Sequence, residues 1–172
     1  MNIQWVLADT ALLDPTVNLD ALKDIGAFWG SWTTWRAYNT DNVVCYNHSK
    51  AKELVTNKFN QACNLYIPQA VYEELNKPQQ VRAFGSDFAH PVDHPDEIVS
   101  LFLAASTADI VLLLGFDWSN IEGHYFGYVL QALNSYPDVQ FVLIDSPKST
   151  AKIAELDNVM QDTMQNVLEM FD

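Results

Sequence analysis

Short apolar runs, each closed by a turn residue, recur along the chain and predict six β-strands. They fall at residues 3–7, 42–46, 64–67, 81–84, 110–114 and 140–144. The first run and the last two are apolar on both faces, the mark of parallel strands covered by helices above and below. Between the runs, apolar residues return at three- and four-residue steps and predict helices over 20–38, 49–59, 69–76, 96–105, 123–133 and 148–171. The helix at 20–38 would carry Ile25, Phe28, Trp29, Trp32 and Trp35 on an inward-facing stripe. Gly26 and Gly30 would cost it about 1 kcal/mol each relative to Ala. The helix at 148–171 would carry Ile153, Leu156, Met160, Met164, Val167 and Phe171 and reach about 33 Å at 1.5 Å per residue. Such a helix overhangs a five-residue strand, so a homodimer is expected.

Strand alternating with helix means βαβ units. The expected fold is α/β: a three-layer αβα sandwich with a doubly wound, mostly parallel sheet of five to six strands, Rossmann-like, in one domain over 1–172. Hydrophobic residues make up 49% of the chain and aromatic residues 12%, enough for a substantial core, so disorder is not expected over most of the length. Cys45 and Cys63 stand 18 positions apart without a Cys-x-x-Cys pattern and read as buried thiols. No apolar run reaches the roughly 18 residues of a membrane span, and the first residues carry no basic segment, so a cytoplasmic protein is expected.

Charge narrows the field. Twenty-two acids against nine bases give −13, and no Lys or Arg occurs from Ala83 through Pro147. A surface so acidic repels phosphate backbones and disfavours nucleic acid as a partner. It also serves solubility.

In an open α/β sheet, ligands bind beyond the carboxyl ends of the strands. Those ends present Asp9 and Thr10, Asn47 and His48, Gln69, Gly85-Ser86-Asp87, Gly115-Phe116-Asp117-Trp118 and Asp145-Ser146. No G-x-G-x-x-G or G-x-x-x-x-G-K-[ST] run is present, so a dinucleotide or triphosphate cradle of the usual kind is not expected. The carboxylates instead suit sugar hydroxyls, a cation or a divalent ion, or serve as turn and cap residues. The expected ligand set is Asp9, Thr10, Gly115, Asp117, Trp118 and Asp145, with Trp118 as a stacking plane. No sequence motif names a cofactor.

Three stretches resemble known families. Phe84-Gly85-Ser86-Asp87, the run from Ala108 to Gly115 (ADIVLLLG) and Phe141-Val142-Leu143-Ile144-Asp145 resemble the sirtuin-type fold shared with the middle domains of thiamine-diphosphate enzymes. That resemblance spans residues 81–146 and implies a ligand crevice near Gly115 and Asp145. The stretches from Val6 to Leu13 and from Tyr66 to Leu75 resemble PIN-type nucleases, whose acids hold Mg²⁺ or Mn²⁺; by position these would be Asp9, Glu74, Asp96 and Asp117. Residues 109–130 are similar in layout to nucleoside deoxyribosyltransferase-like domains, with Tyr125 in place of the family's nucleophilic Glu and Glu122 three residues early. The acidic, aromatic-rich composition also resembles proteins of marine microbes and their phages.

His90 and His94 stand four apart among carboxylates, a spacing open to zinc, although Pro91 and Pro95 exclude one continuous helix through both. The other reading is a turn into a helix with Pro95 in its first turn and Asp96 and Glu97 complementing the dipole. The sequence thus leads to a small acidic Rossmann-like protein binding a nucleoside- or nucleotide-like molecule at the strand ends, with no metal site. A PIN-like metal-dependent nuclease and a homodimeric interaction protein are the alternatives.

Overall fold

Eight parallel strands form one sheet in the order β5-β4-β3-β2-β1-β6-β7-β8. The computed structural model describes residues 1–8, 18–85, 95–116, 123–145, 153 and 155–171. Along the chain these give β1 (Ile3–Leu7), α1 (Leu19–Ile25), β2 (Ala27–Ser31), α2 (Trp32–Tyr38), β3 (Asn42–Val44) and α3 (His48–Thr56). A 3-10 turn (Phe59–Gln61) leads to β4 (Asn64–Pro68), α4 (Gln69–Glu74), β5 (Val81–Phe84) and α5 (Pro95–Ala105). The rest is β6 (Ile110–Leu114), α6 (Gly123–Ser135), β7 (Gln140–Ile144), β8 (Val159–Asp162) and α7 (Met164–Phe171). The α/β class and the parallel, Rossmann-like layering agree with the sequence reading; the sheet is wider, eight strands rather than five to six.

Alternation along the strands sorts the core onto two faces. Val6 and Ala8 of the β1 segment join Val111 and Leu113 of β6 under α5 and α6, where Ile98, Leu101, Val129 and Leu133 are buried. Ile3, Trp5 and Leu7 point the other way, with Leu112, Leu114, Leu22 of α1 and Val167 of α7. There Trp5 stacks on Phe28 of β2, ring centroids 5.5 Å apart and planes 4° from parallel. On the β3–β5 side, Val43, Leu65 and Val81 pack under α3 and α4 through Leu54 and Val71. Both-sided burial is why β6 is continuously apolar and β1 is apolar at every position but Gln4.

Two expected helices are corrected. Residues 20–38 are not one helix: α1 ends at Ile25, Ala27–Ser31 is strand β2, and α2 begins at Trp32. Gly26 is extended (φ −173°, ψ 162°), and a Cβ there would lie 2.3 Å from the carbonyl oxygen of Ile3. The glycine breaks the helix and lets β2 start hard against β1. Ser31 then restarts a helix as an N-cap, its Oγ accepting from the Thr34 amide at 3.1 Å. Phe28 and Trp29 are core, as expected, but on opposite faces of a strand.

Residues 148–171 are not one helix either. Val159–Asp162 is an eighth strand paired with β7, from Phe141 against Val159 to Ile144 against Asp162, and only Met164–Phe171 is the terminal helix. With no long helix there is no overhang, and the reason for expecting a homodimer falls with it. Among the described residues, no helix is long and apolar enough to cross a membrane.

The strand order fixes where a site can form. The chain runs outward from β1 to β5, then α5 brings it back to β6 on the other side of β1. Successive crossovers therefore lie on opposite faces on either side of the β1/β6 boundary, and their connections part at its carboxyl end. That is a topological switch point.

Candidate functional site

β1 and β6 run in register to their carboxyl ends, Leu7 opposite Leu114, and the Ala8 amide donates to the Leu114 carbonyl at 3.0 Å. Gly115 follows with φ 80°, a left-handed backbone that favours glycine and turns the chain out of the sheet. Leu114 is also the register partner of Ile144, so Gly115 and Asp145 leave neighbouring strands side by side. Two members of the expected ligand set are thus brought together.

Asp145 has structural work of its own. Its φ is 46°, its amide donates to the Asp162 carbonyl at 2.9 Å, and both carboxylate oxygens lie 3.3 Å from the Met164 amide. A carboxylate at the first amide of α7 satisfies an otherwise open donor and complements the helix dipole. The other four expected ligands lie outside the described residues: Asp9 and Thr10 follow Ala8 directly in the chain, and Asp117 and Trp118 follow Phe116.

The acids expected from the nuclease resemblance divide between layers. Glu74 lies on α4 and pairs with Lys52 of α3 at 2.5 Å, both side chains largely exposed. Asp96 opens α5, which packs on the other face of the sheet, and its carboxylate accepts from the Tyr46 amide at 2.6 Å. Asp96 thereby ties α5 to the chain leaving β3. Asp9 and Asp117 of that set, and the pair His90 and His94, lie outside the described residues. Among the described residues, no three His, Cys, Asp or Glu side chains cluster as a metal site.

The sequence reading missed the pair Glu97 and Tyr125. Glu97, in the first turn of α5, is only 4% exposed, and its carboxylate accepts from the Tyr125 hydroxyl of α6 at 2.5 Å. The first turns of α5 and α6 both sit at the carboxyl end of the sheet, α5 above β1 and β2 and α6 following β6. A signal for this was present. Glu97 stands four and seven residues before Leu101 and Ala104, and Tyr125 four and seven before Val129 and Ala132, all four buried. Each polar residue extends an inward stripe. The reading of Asp96 and Glu97 as equivalent dipole partners hid that only one faces the core.

Neither cysteine is an activated nucleophile. Burial pushes the Cys45 thiol up to about 12, with the negative charge of Asp96 adding to it, and burial alone pushes Cys63 up to about 12. Comparison with protein families, curated proteins and solved structures finds no match to this chain.

Proposed function

We propose that this protein binds a nucleoside-like small molecule at the carboxyl ends of β1 and β6, with Glu97 and Tyr125 on the polar wall of the site. The supporting observation is a buried carboxylate, held by a tyrosine hydroxyl, in the first helical turns beside a topological switch point. Open α/β sheets bind their ligands at such points. An ionised carboxylate accepts hydrogen bonds only, so it selects ligand donors: ribose hydroxyls and exocyclic amines. Asp9 and Asp117, next in the chain after the two strand ends, add further acceptors, and Trp118 adds a stacking plane.

The same chemistry argues against a phosphate-rich ligand. Carboxylates repel it, and the βα turns lack the glycine-rich run that cradles phosphates. A nucleoside is preferred to its triphosphate. The resemblance of residues 81–146 to sirtuin-type folds, which implies a crevice near Gly115 and Asp145, supports the same location.

The test is a thermal-melt and calorimetry panel of nucleosides and their mono- and triphosphates. A ligand at a hundred times its Kd stabilises the folded chain by about 2.7 kcal/mol. For a chain of this size that raises Tm by about 5–10 °C. Asp117→Asn should abolish the shift without lowering the melting temperature of the free protein. A flat response to every nucleoside, or tighter binding of triphosphates, overturns the reading.

A further inference from the structure

The two edges of the eight-stranded sheet differ. β5 carries Arg82 exposed at its centre, a charge that guards an edge against further pairing. At its centre β8 has no such guard, for Met160 and Gln161 are both exposed and uncharged.

The backbone of β8 is open at the same place. The carbonyls of Asn158 and Asp162 accept from the Phe141 and Asp145 amides at 2.8 and 2.9 Å, so even-numbered residues bond toward β7. Alternation along the strand then turns the odd-numbered backbone groups outward. Two of those amides are used locally: Val159 donates to the Leu156 carbonyl at 3.1 Å, and Thr163 to the Asp162 carboxylate at 2.8 Å. Gln161, between them, has no hydrogen-bond partner among the described residues for its amide or its carboxamide.

Apolar surface gathers beside it. Met160 is the register partner of Val142 and so stands on the face that α7 covers. Leu168 and Phe171 of α7 line a groove with Ile25 of α1, which leaves Met170, about 200° round the helix from Leu168, on the flank toward β8. α7 starts where Met164 meets Asp145 at the carboxyl end of the sheet and runs back, so Met170 comes level with Met160. Among the described residues, three large hydrophobic side chains are exposed, and two of them are Met160, at 40%, and Met170, at 58%. A free strand edge beside exposed apolar side chains is a pairing surface.

We infer that β8 pairs antiparallel with β8 of a second copy of this chain, about a twofold axis through Gln161. In that register the two Gln161 residues exchange both backbone hydrogen bonds, and their carboxamides, each donor and acceptor, face one another. Met160 stands opposite Asp162 of the second copy, so no carboxylate is set directly against another. The two Met160 side chains meet on the diagonal. An edge that matches itself in this way fits a second copy better than an unrelated strand. Asp157, Asp162 and Glu169 flank the contact, and no Lys or Arg follows Lys152 to relieve them, so salt should strengthen it. A four-residue edge and two methionines cover less than the roughly 800 Å² per partner of a standard interface, so the dimer is weak and reversible. It lies beyond β7 from the rim and is independent of the nucleoside reading.

The test is sedimentation equilibrium of the full chain from micromolar to millimolar concentration, at about 0.02 and about 0.5 M salt. The mass is expected to climb from the monomer's toward the dimer's, and to do so at lower concentration in the higher salt. Hydrogen exchange at the Gln161 amide should slow in step, while the Met160 and Asp162 amides, turned toward β7, stay unchanged. Gln161→Glu sets two carboxylates opposite each other and should weaken the dimer roughly tenfold without lowering the Tm of the monomer. Arg82→Glu, at the other edge, should leave dimerisation as it was. A monomeric mass at millimolar concentration in the higher salt overturns the proposal. So does a Gln161 amide already slow in the monomer, which would mean that the chain covers its own edge. A dimer indifferent to Gln161→Glu overturns it too, because the contact then lies elsewhere.

Discussion

The Tyr125 hydroxyl donates to the Glu97 carboxylate over 2.5 Å and so joins the first turn of α6 to the first turn of α5. The position matters more than the bond. α5 is the crossover that carries the chain from the edge strand β5 back to β6 and thereby creates the switch point, and α6 leaves β6 at that same point. A carboxylate at a helix N-terminus is favoured by the dipole, and a tyrosine hydroxyl offsets the desolvation of its buried charge. The pair therefore holds the two connections in fixed relation where they part.

Removing the donor should be felt in stability first. A hydrogen bond to a charged group contributes about 1.5–3 kcal/mol. Tyr125→Phe is thus expected to lower Tm by about 3–12 °C, while Glu97→Gln, which removes the charge but keeps an amide oxygen able to accept from the tyrosine, should cost less. Thermal melts of the two variants and of the double variant give the coupling between them. An unchanged Tm in Tyr125→Phe would show that the contact contributes nothing to holding the helices together.

The thiols predict a loss of stability in alkali. Cys45 and Cys63 rise from the ordinary value of 9.0 to about 12 in the folded chain, both chiefly through burial. Below 9.0 the thiol is protonated whether the chain is folded or not, and the stabilising contribution is complete. Above it the unfolded chain loses its protons first, so stability falls as pH climbs from 9.0 toward 12. The urea midpoint should drop across that window, and more steeply than in a Cys45→Ala, Cys63→Ala variant. Near neutrality both thiols should resist a disulfide reagent until urea is added. Rapid labelling of the native protein would contradict the assignment.

The parallel sheet was legible in the sequence where burial is two-sided, as in Ile110–Leu114, because five consecutive apolar residues closed by a turn suit a strand covered on both faces and are too short for a helix. It was not legible at Ala27–Ser31. That strand is buried on both faces as well, so Phe28 and Trp29 show no two-residue alternation, and with Trp32 and Trp35 they fall at helical spacing. At Val159–Asp162 the opposite holds: an edge strand half open to solvent carries too few apolar residues to announce itself, and Met160 there is 40% exposed. The rim was legible at Gly115, whose φ of 80° suits the turn that ends β6. Glu97 was not, because a charged residue in a first turn is ordinarily read as a solvated dipole partner, and only the phase of the stripe behind it tells otherwise.

Two glycines give the sharpest contrast in what a single methyl group should do. At Gly26 a Cβ would meet the Ile3 carbonyl oxygen at 2.3 Å and its carbon at 2.8 Å, both backbone atoms of the neighbouring strand. Neither can turn aside as a side chain can, so Gly26→Ala must push β2 away from β1 at its first residues. Those residues anchor the pairing of Gln4 with Ala27 and the stack of Trp5 on Phe28. Overpacking of this kind typically costs 1–3 kcal/mol, and with backbone on both sides about 3 kcal/mol is expected. At Gly127, within α6, a Cβ would meet nothing within 4 Å. There alanine only restricts the unfolded chain and favours the helix, so Gly127→Ala should stabilise by about 0.5–1 kcal/mol. Urea unfolding of both variants checks the pair. Equal and opposite shifts are not required, but the signs are: a stabilised Gly26→Ala would mean that β2 does not begin against Ile3, and the division of residues 20–38 into helix, strand and helix would have to be abandoned.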